Sequence, residues 1–181
     1  MNDEDIIKGI KQGDENSFIT LVNNYKNKII SLCYSFTYDY QEAEDLSQEI
    51  FINIYKNIHK FRRESSFSTY IYKVSINKCL DYKRKKSIKG LLKGLFHAET
   101  LYAEEDLDEK RYIRKLVCEL PEELKIPIVL YYFVGLSQKE IGEILKISTK
   151  TVEGRIYRAK GKLKKVLEKE EYDVWEKEEG M

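Results

Sequence analysis

The sequence predicts an all-α protein made of two small helical domains, an N-terminal helical bundle and a C-terminal helix-turn-helix domain, joined by a flexible linker. Three observations lead there. Only two prolines and nine glycines interrupt 181 residues. Ile, Leu, Val and Tyr recur at steps of three and four almost throughout, the period of an amphipathic helix. Finally, the net charge of +1 is unevenly spread, with two basic blocks on either side of an acidic stretch. With 42% hydrophobic and 35% charged residues, the chain is long enough for two small cores and too polar for a membrane protein.

The N-terminal stretch MNDEDIIKGIKQGD is acidic where a secretion signal would be basic and then apolar. No run approaches the roughly 18 apolar residues of a spanning helix. The expectation is a cytoplasmic protein with no direct membrane insertion. Cys33, Cys79 and Cys118 lie far apart in apolar-periodic surroundings, without the CxxC spacing of a zinc or redox site. They read as reduced core residues.

From Asp39 to Phe61 the sequence is DYQEAEDLSQEIFINIYKNIHKF. On a helix, Leu46, Ile50, Ile54 and Ile58 make one buried line, with Phe51 and Tyr55 beside it. Asp45, Gln48, Glu49 and Ile52, spaced i, i+3, i+4, i+7, form a second stripe that mixes acids with an exposed aliphatic. A solvated acidic face near a helix N-terminus would explain the acids. It leaves Ile52 unexplained, whereas a partner helix with a basic, partly apolar surface would use all four.

Arg62 to Ser66 is a polar break, and Ser65 or Ser66 can cap the next helix, which begins near Phe67. A polar loop flanked by Phe61, Phe67, Tyr70 and Tyr72 can hold an unstacked base, because aromatic faces accept any base while loop groups read its edge. Phe67 and Tyr70 are assigned to packing. Tyr72, Asn77 and the loop residues Phe61, Arg62, Arg63, Ser65 and Ser66 are the candidates for base contact, and Lys73, Lys78, Lys83 and Arg84 those for phosphate. This segment lies in the first basic block, Lys60 to Lys89, where only Glu64 and Asp81 are acidic.

Residues 87–108 read as the linker, with the acidic stretch ETLYAEEDLDE at its end. The second domain is expected over 109–170. Ser137 and Glu140 form a capping box at the start of a helix whose inward stripe is Ile141, Ile144 and Leu145. Gly142 beside that stripe would let a second helix approach without a side chain intervening. After a turn at Lys146-Ile147-Ser148, Ser148 or Thr149 caps a second helix with Val152, Ile156, Ala159 and Leu163 inward. Two helices joined by such a short turn make a helix-turn-helix. The second helix would present Lys150, Glu153, Gly154, Tyr157 and Arg158 outward, a surface able to enter a major groove. Lys146 to Lys169 is the second basic block, with only Glu153 and Glu168 acidic. Residues 171–181 form an acidic tail with Trp175, suited to a frayed helix end or a partner contact.

No catalytic or metal-binding constellation appears. His59 and His97 stand alone, and there is no glycine-rich phosphate loop or nucleophile-base pair. The chain is therefore read as a non-enzyme with no cofactor.

GLSQKEIGEILKISTKTVEGRIYRA resembles the C-terminal promoter-binding domain of extracytoplasmic-function (ECF) sigma factors, with Gly142 for the usual Ala, Lys146 for the turn Gly, and Glu153-Gly154 where Lys/Arg-Ser is common. The stretch from Asp39 resembles the D-x-E-D-A-E-D-L-x-Q-E-x-F helix of the same family. Together the resemblance spans about Phe18 to Lys86 and Asp108 to Leu167. It implies a region 2 domain over 1–86 and a region 4 domain over 109–170. It further implies that Asp45, Gln48, Glu49 and Ile52 bind the clamp helices of bacterial RNA polymerase core. Phe61, Arg62, Arg63, Ser65, Ser66, Tyr72, Lys73, Asn77, Lys83 and Arg84 would recognise and melt the minus-ten element, with Asn77 at a pocket for a flipped non-template base. Ser137, Thr149, Lys150, Thr151, Glu153, Gly154, Arg155, Tyr157 and Arg158 would contact the minus-35 element. The implied partners are core polymerase, promoter DNA both duplex and melted, and an anti-sigma factor of the kind often anchored in a membrane. Two rivals remain at this level: a polymerase-independent helix-turn-helix regulator, and a helical adaptor that binds RNA or acidic proteins.

Overall fold

The computed structural model describes the backbone of residues 2–92 and 109–179 and the side chains of residues 2–87 and 112–168. Every regular element among these is helical: α1 Asp3–Lys11, α2 Glu15–Thr37, α3 Tyr40–Asn57, a 3-10 turn Ile58–Lys60, α4 Phe67–Leu92, α5 Glu109–Glu119, α6 Glu122–Val129, a π-helical turn Leu130–Val134, α7 Gln138–Leu145 and α8 Thr149–Glu179. The expected linker at 87–108 lies mostly outside the described residues, as does His97. Its first residues continue α4 to Leu92, and the expected tail continues α8 to Glu179.

Local chemistry sets most boundaries. Asn2, Asp14 and Asp39 each accept a backbone N–H of the following first turn, satisfying donors that have no intrahelical partner. At the start of α4 the cap is Ser66, whose hydroxyl accepts the Thr69 N–H at 3.1 Å. Pro127 inside α6 removes one helical donor. The chain then widens into the π turn, which ends at Gly135 with φ 82, a left-handed conformation that suits glycine.

The N-terminal half is organised around α2, which packs against α1, α3 and α4. Ile6, Leu21, Ile29, Leu32, Ile50, Ile54 and Ile71 are fully buried between them, each contributing about 1.5–3 kcal/mol of apolar transfer free energy. Cys33 and Cys79 meet in this core with their Sγ atoms 3.9 Å apart, and all three cysteines are buried thiols. In the C-terminal half, α6 and α7 pack on α8 around Leu130, Ile141, Val152 and Ala159. The two halves also share buried surface: α2 packs on α5, α6 and the π turn, and α4 packs on α7.

Candidate functional site

Three surfaces carry the chemistry. The first is the outer face of α3. Asp39 accepts the Glu42 N–H at 2.8 Å and fixes the helix start. Ala43, Leu46, Ile50 and Ile54 are turned into the core, so the helical period leaves Asp45, Gln48, Glu49 and Ile52 outward, and all four are exposed. Ile52 is 50% exposed. Neither Asp45 nor Glu49 has an ion-pair partner among the described residues. The result is an acidic ridge with an apolar centre.

The second surface is the loop before α4 and the outer side of that helix. Arg62, Arg63 and Ser66 are exposed and Ser65 is half-buried. Arg63 is left-handed, with φ 60, and its guanidinium lies 3.5 Å from Glu4, an exposed pair of little energetic weight. Two expected base-contacting aromatics are instead structural. Phe61 is 7% exposed, with its ring 5.5 Å from Phe67 and 5.0 Å from Tyr70. Tyr72 is 1% exposed and packs edge-on against Tyr25 at 6.1 Å; burial pushes its phenol well above the usual value. In this conformation both rings have their faces occupied by protein. Of the other residues expected to contact a base, Asn77 is exposed like Arg62, Arg63 and Ser66. Lys73, Ile76 and Asn77 form one wall of a groove whose other wall is Ile144, Leu145 and Lys146. Lys83 and Arg84 are exposed, paired with Glu122 at 2.7 Å and Asp81 at 2.6 Å.

The third surface is the helix-turn-helix. The Ser137 hydroxyl accepts the Glu140 N–H at 3.3 Å while Glu140 accepts the Ser137 N–H at 2.8 Å, completing the expected capping box. The Ser137 hydroxyl and N–H hold the Glu140 carboxyl below its ordinary value, so the box keeps its charge into mild acid. The turn passes through Lys146 at φ 56, a left-handed residue where glycine would be unstrained. Ser148 is the cap of α8, its hydroxyl accepting the Thr151 N–H at 3.1 Å. Val152, Ile156 and Ala159 are buried, which leaves Thr149, Lys150, Glu153, Tyr157 and Arg158 exposed and Thr151, Gly154 and Arg155 half-buried on the outer side. Tyr157 is 78% exposed. A Cβ at Gly154 would meet nothing within 4 Å, so the backbone here is open to close approach by a ligand.

An acidic-apolar ridge, a cationic helix beside a polar loop, and a second cationic helix in a helix-turn-helix thus occur in one chain. The family profile "Sigma-70 region 2" matches residues 21–88 and "Sigma-70, region 4" matches residues 110–163. The ECF RNA polymerase sigma factor SigW of Bacillus subtilis is 37% identical over 176 residues, covering 89% of this chain and 94% of that protein. The chain belongs to the ECF sigma factor family. The ECF RNA polymerase sigma-E factor of Escherichia coli K12 is 29% identical over 177 residues, covering 88% of this chain and 91% of the relative. This sigma factor shares its fold with CnrH, solved with the cytosolic domain of CnrY, at a TM-score of 0.70 and 22% identity over 92% of this chain and 97% of that one. It shares it likewise with RpoE of Bartonella quintana, solved with the anti-sigma factor NepR, at 0.69 and 18% over 83% and 96%. Helix periodicity could not have placed Tyr38 and Lys125, which meet across the two halves of the sigma factor from 87 residues apart, the Lys125 ammonium donating to the Tyr38 hydroxyl at 3.1 Å.

Proposed function

We propose that this sigma factor docks on core RNA polymerase through Asp45, Gln48, Glu49 and Ile52, and directs it to promoters whose minus-35 element is read by the outer face of α8. The minus-ten element would be read and opened at the loop before α4 and along α4. The single observation that carries the reading is the α3 ridge, since an exposed isoleucine ringed by unpaired carboxylates suits a basic, partly apolar partner and has no use in a free-standing DNA-binding regulator. Duplex binding rests on charge. Lys150, Arg155 and Arg158 approach phosphates while Glu153 and Tyr157 face base edges, where a carboxylate accepts from the cytosine amino group.

Melting needs no active site. The separated strand is favoured because loop groups and Asn77 bind an extruded base while Lys73, Lys83 and Arg84 hold its backbone. Catalysis belongs to the polymerase. The functional units are taken as residues 1–86 and 109–170, and the protein acts in the cytoplasm; no helix among the described residues is long and apolar enough to cross a membrane. Because a protein of this fold was solved with the anti-sigma factor NepR, an anti-sigma factor is the expected antagonist.

Run-off transcription from DNA fragments recovered with the assembled complex tests this. The expected result is a transcript of defined length only when core polymerase and this chain are both present. Retention of the DNA by the chain alone, with no stimulated transcript, would support the polymerase-independent regulator instead.

A further inference from the structure

Glu153 is out of keeping with a helix that only grips phosphates. From Lys146 to Lys169 the chain carries nine basic residues and two acidic ones, Glu153 and Glu168. Glu168 is neutralised one turn away by Lys164, at 3.4 Å. Glu153 is exposed on the outer side of α8 and has no ion-pair partner among the described residues, although Lys150 precedes it by one turn. An unpaired carboxylate turned toward a polyanion weakens non-specific binding and slows encounter. It is useful there only where it meets a hydrogen-bond donor, which the phosphates do not offer.

Two neighbours keep this carboxylate free and bring it near the bases. Arg158 folds back along the helix, its Nε donating to the Gly154 carbonyl at 3.3 Å rather than to Glu153. Gly154 lies inside α8 without a left-handed φ, and a Cβ there would meet nothing within 4 Å. Neither backbone strain nor internal packing calls for glycine, which weakens a helix interior. What its bare backbone permits is a closer approach of this turn to the floor of a major groove.

Only two bases present an exocyclic donor in that groove, cytosine through N4 and adenine through N6; guanine presents acceptors, and thymine an acceptor and a methyl group. An ionised carboxylate can only accept. Beside adenine N6 stands the N7 lone pair, which repels a carboxylate, whereas beside cytosine N4 stands a C–H. Cytosine is the base that fits.

We propose that Glu153 selects a cytosine in the minus-35 element, accepting from its N4 amino group on a turn that Gly154 lets close to the base edges. This deepens the proposed minus-35 reading and rests on it. The same carboxylate repels the groove-facing oxygens of guanine and thymine, so Glu153 lowers affinity for DNA in general as it raises discrimination.

Selection from duplexes randomised over the minus-35 region, using core polymerase that carries the full chain and sequencing the retained DNA, tests the assignment. The wild type is expected to enrich cytosine at one position, about tenfold over any other base. Glu153→Gln places a donor beside the acceptor, the pattern that pairs with adenine N6 and N7, and should move that position alone from cytosine to adenine. Glu153→Ala should leave it without preference. Position 153 is exposed, so both variants should keep the circular dichroism of the wild type and the rest of the element. Gly154→Leu keeps the helix but fills the gap, and should lower the cytosine enrichment toward that of Glu153→Ala. A wild-type element without an enriched cytosine, or a cytosine that both Glu153 variants retain, overturns the role of Glu153 and leaves the minus-35 reading standing. An enrichment unchanged by Gly154→Leu overturns the part given to the glycine. Absence of any enriched element overturns the minus-35 reading itself, and the choice of base with it.

Discussion

Asp45→Lys combined with Glu49→Lys is expected to weaken binding to core RNA polymerase about 100-fold or more, with transcription falling in proportion. Both side chains are exposed, so reversal leaves the α3 core of Leu46, Ile50 and Ile54 intact and should change stability by no more than about 0.5 kcal/mol. Each reversal replaces an attraction with a repulsion against a basic partner. At about 1.4 kcal/mol per site the pair loses two factors of ten. Ile52→Ala, which removes apolar contact and leaves charge unchanged, should weaken binding with little change in its salt dependence, whereas the double reversal should alter that dependence. Fluorescence anisotropy of labelled chain titrated with core polymerase at two salt concentrations checks both. Unchanged affinity for the double variant would remove the ridge from the interface.

The second large effect is expected at Gly142. Alanine stands at this place in the motif that the stretch resembles, and it would add about 1 kcal/mol of helix propensity. Here, however, a Cβ would lie 2.8 Å from the Ile147 carbonyl oxygen, 3.7 Å from the Thr149 nitrogen and 3.8 Å from the Ser148 carbonyl carbon. These are backbone atoms of the turn and cannot rotate away as a side-chain tip could. Forcing the turn outward costs about 3 kcal/mol, at the upper end for overpacking. Gly142→Ala should then destabilise the helix-turn-helix by about 2 kcal/mol net and lower Tm by about 4–8 °C. Lys146→Gly added to it should recover part of the loss by freeing the left-handed residue that pins the turn. Thermal unfolding by circular dichroism gives the answer, and a Tm unchanged or raised by Gly142→Ala would show that the carbonyl yields cheaply.

These two sites also mark what could be read from sequence. The capping box at Ser137 and Glu140, the outward stripe on α3 and the exposed face of α8 depend on side-chain spacing within one helix, which the sequence states directly. The choice of Ser66 over Ser65, and of Ser148 over Thr149, depends on which hydroxyl reaches the third N–H, and spacing leaves that open by one residue. Phe61 reads as base-contacting because it borders the polar loop, and Tyr72 because α4 carries apolar and aromatic residues around much of its circumference. It does so because it packs against α2 and α3 on one side and α7 on another, so periodicity cannot tell its outer side from its second buried side. Gly142 reads as a place where a second helix could approach; the group nearest to it is instead the turn carbonyl of Ile147. The meeting of Tyr38 with Lys125 belongs to long-range packing and has no local signature.

The most direct measurement is permanganate reactivity of thymines across the minus-ten region of a promoter duplex, taken with this sigma factor alone, with core polymerase alone and with both. Reactive, unpaired thymines are expected only with both present, and they should diminish for Asn77→Ala while duplex binding persists. A duplex that stays unreactive in the assembled complex would contradict the account.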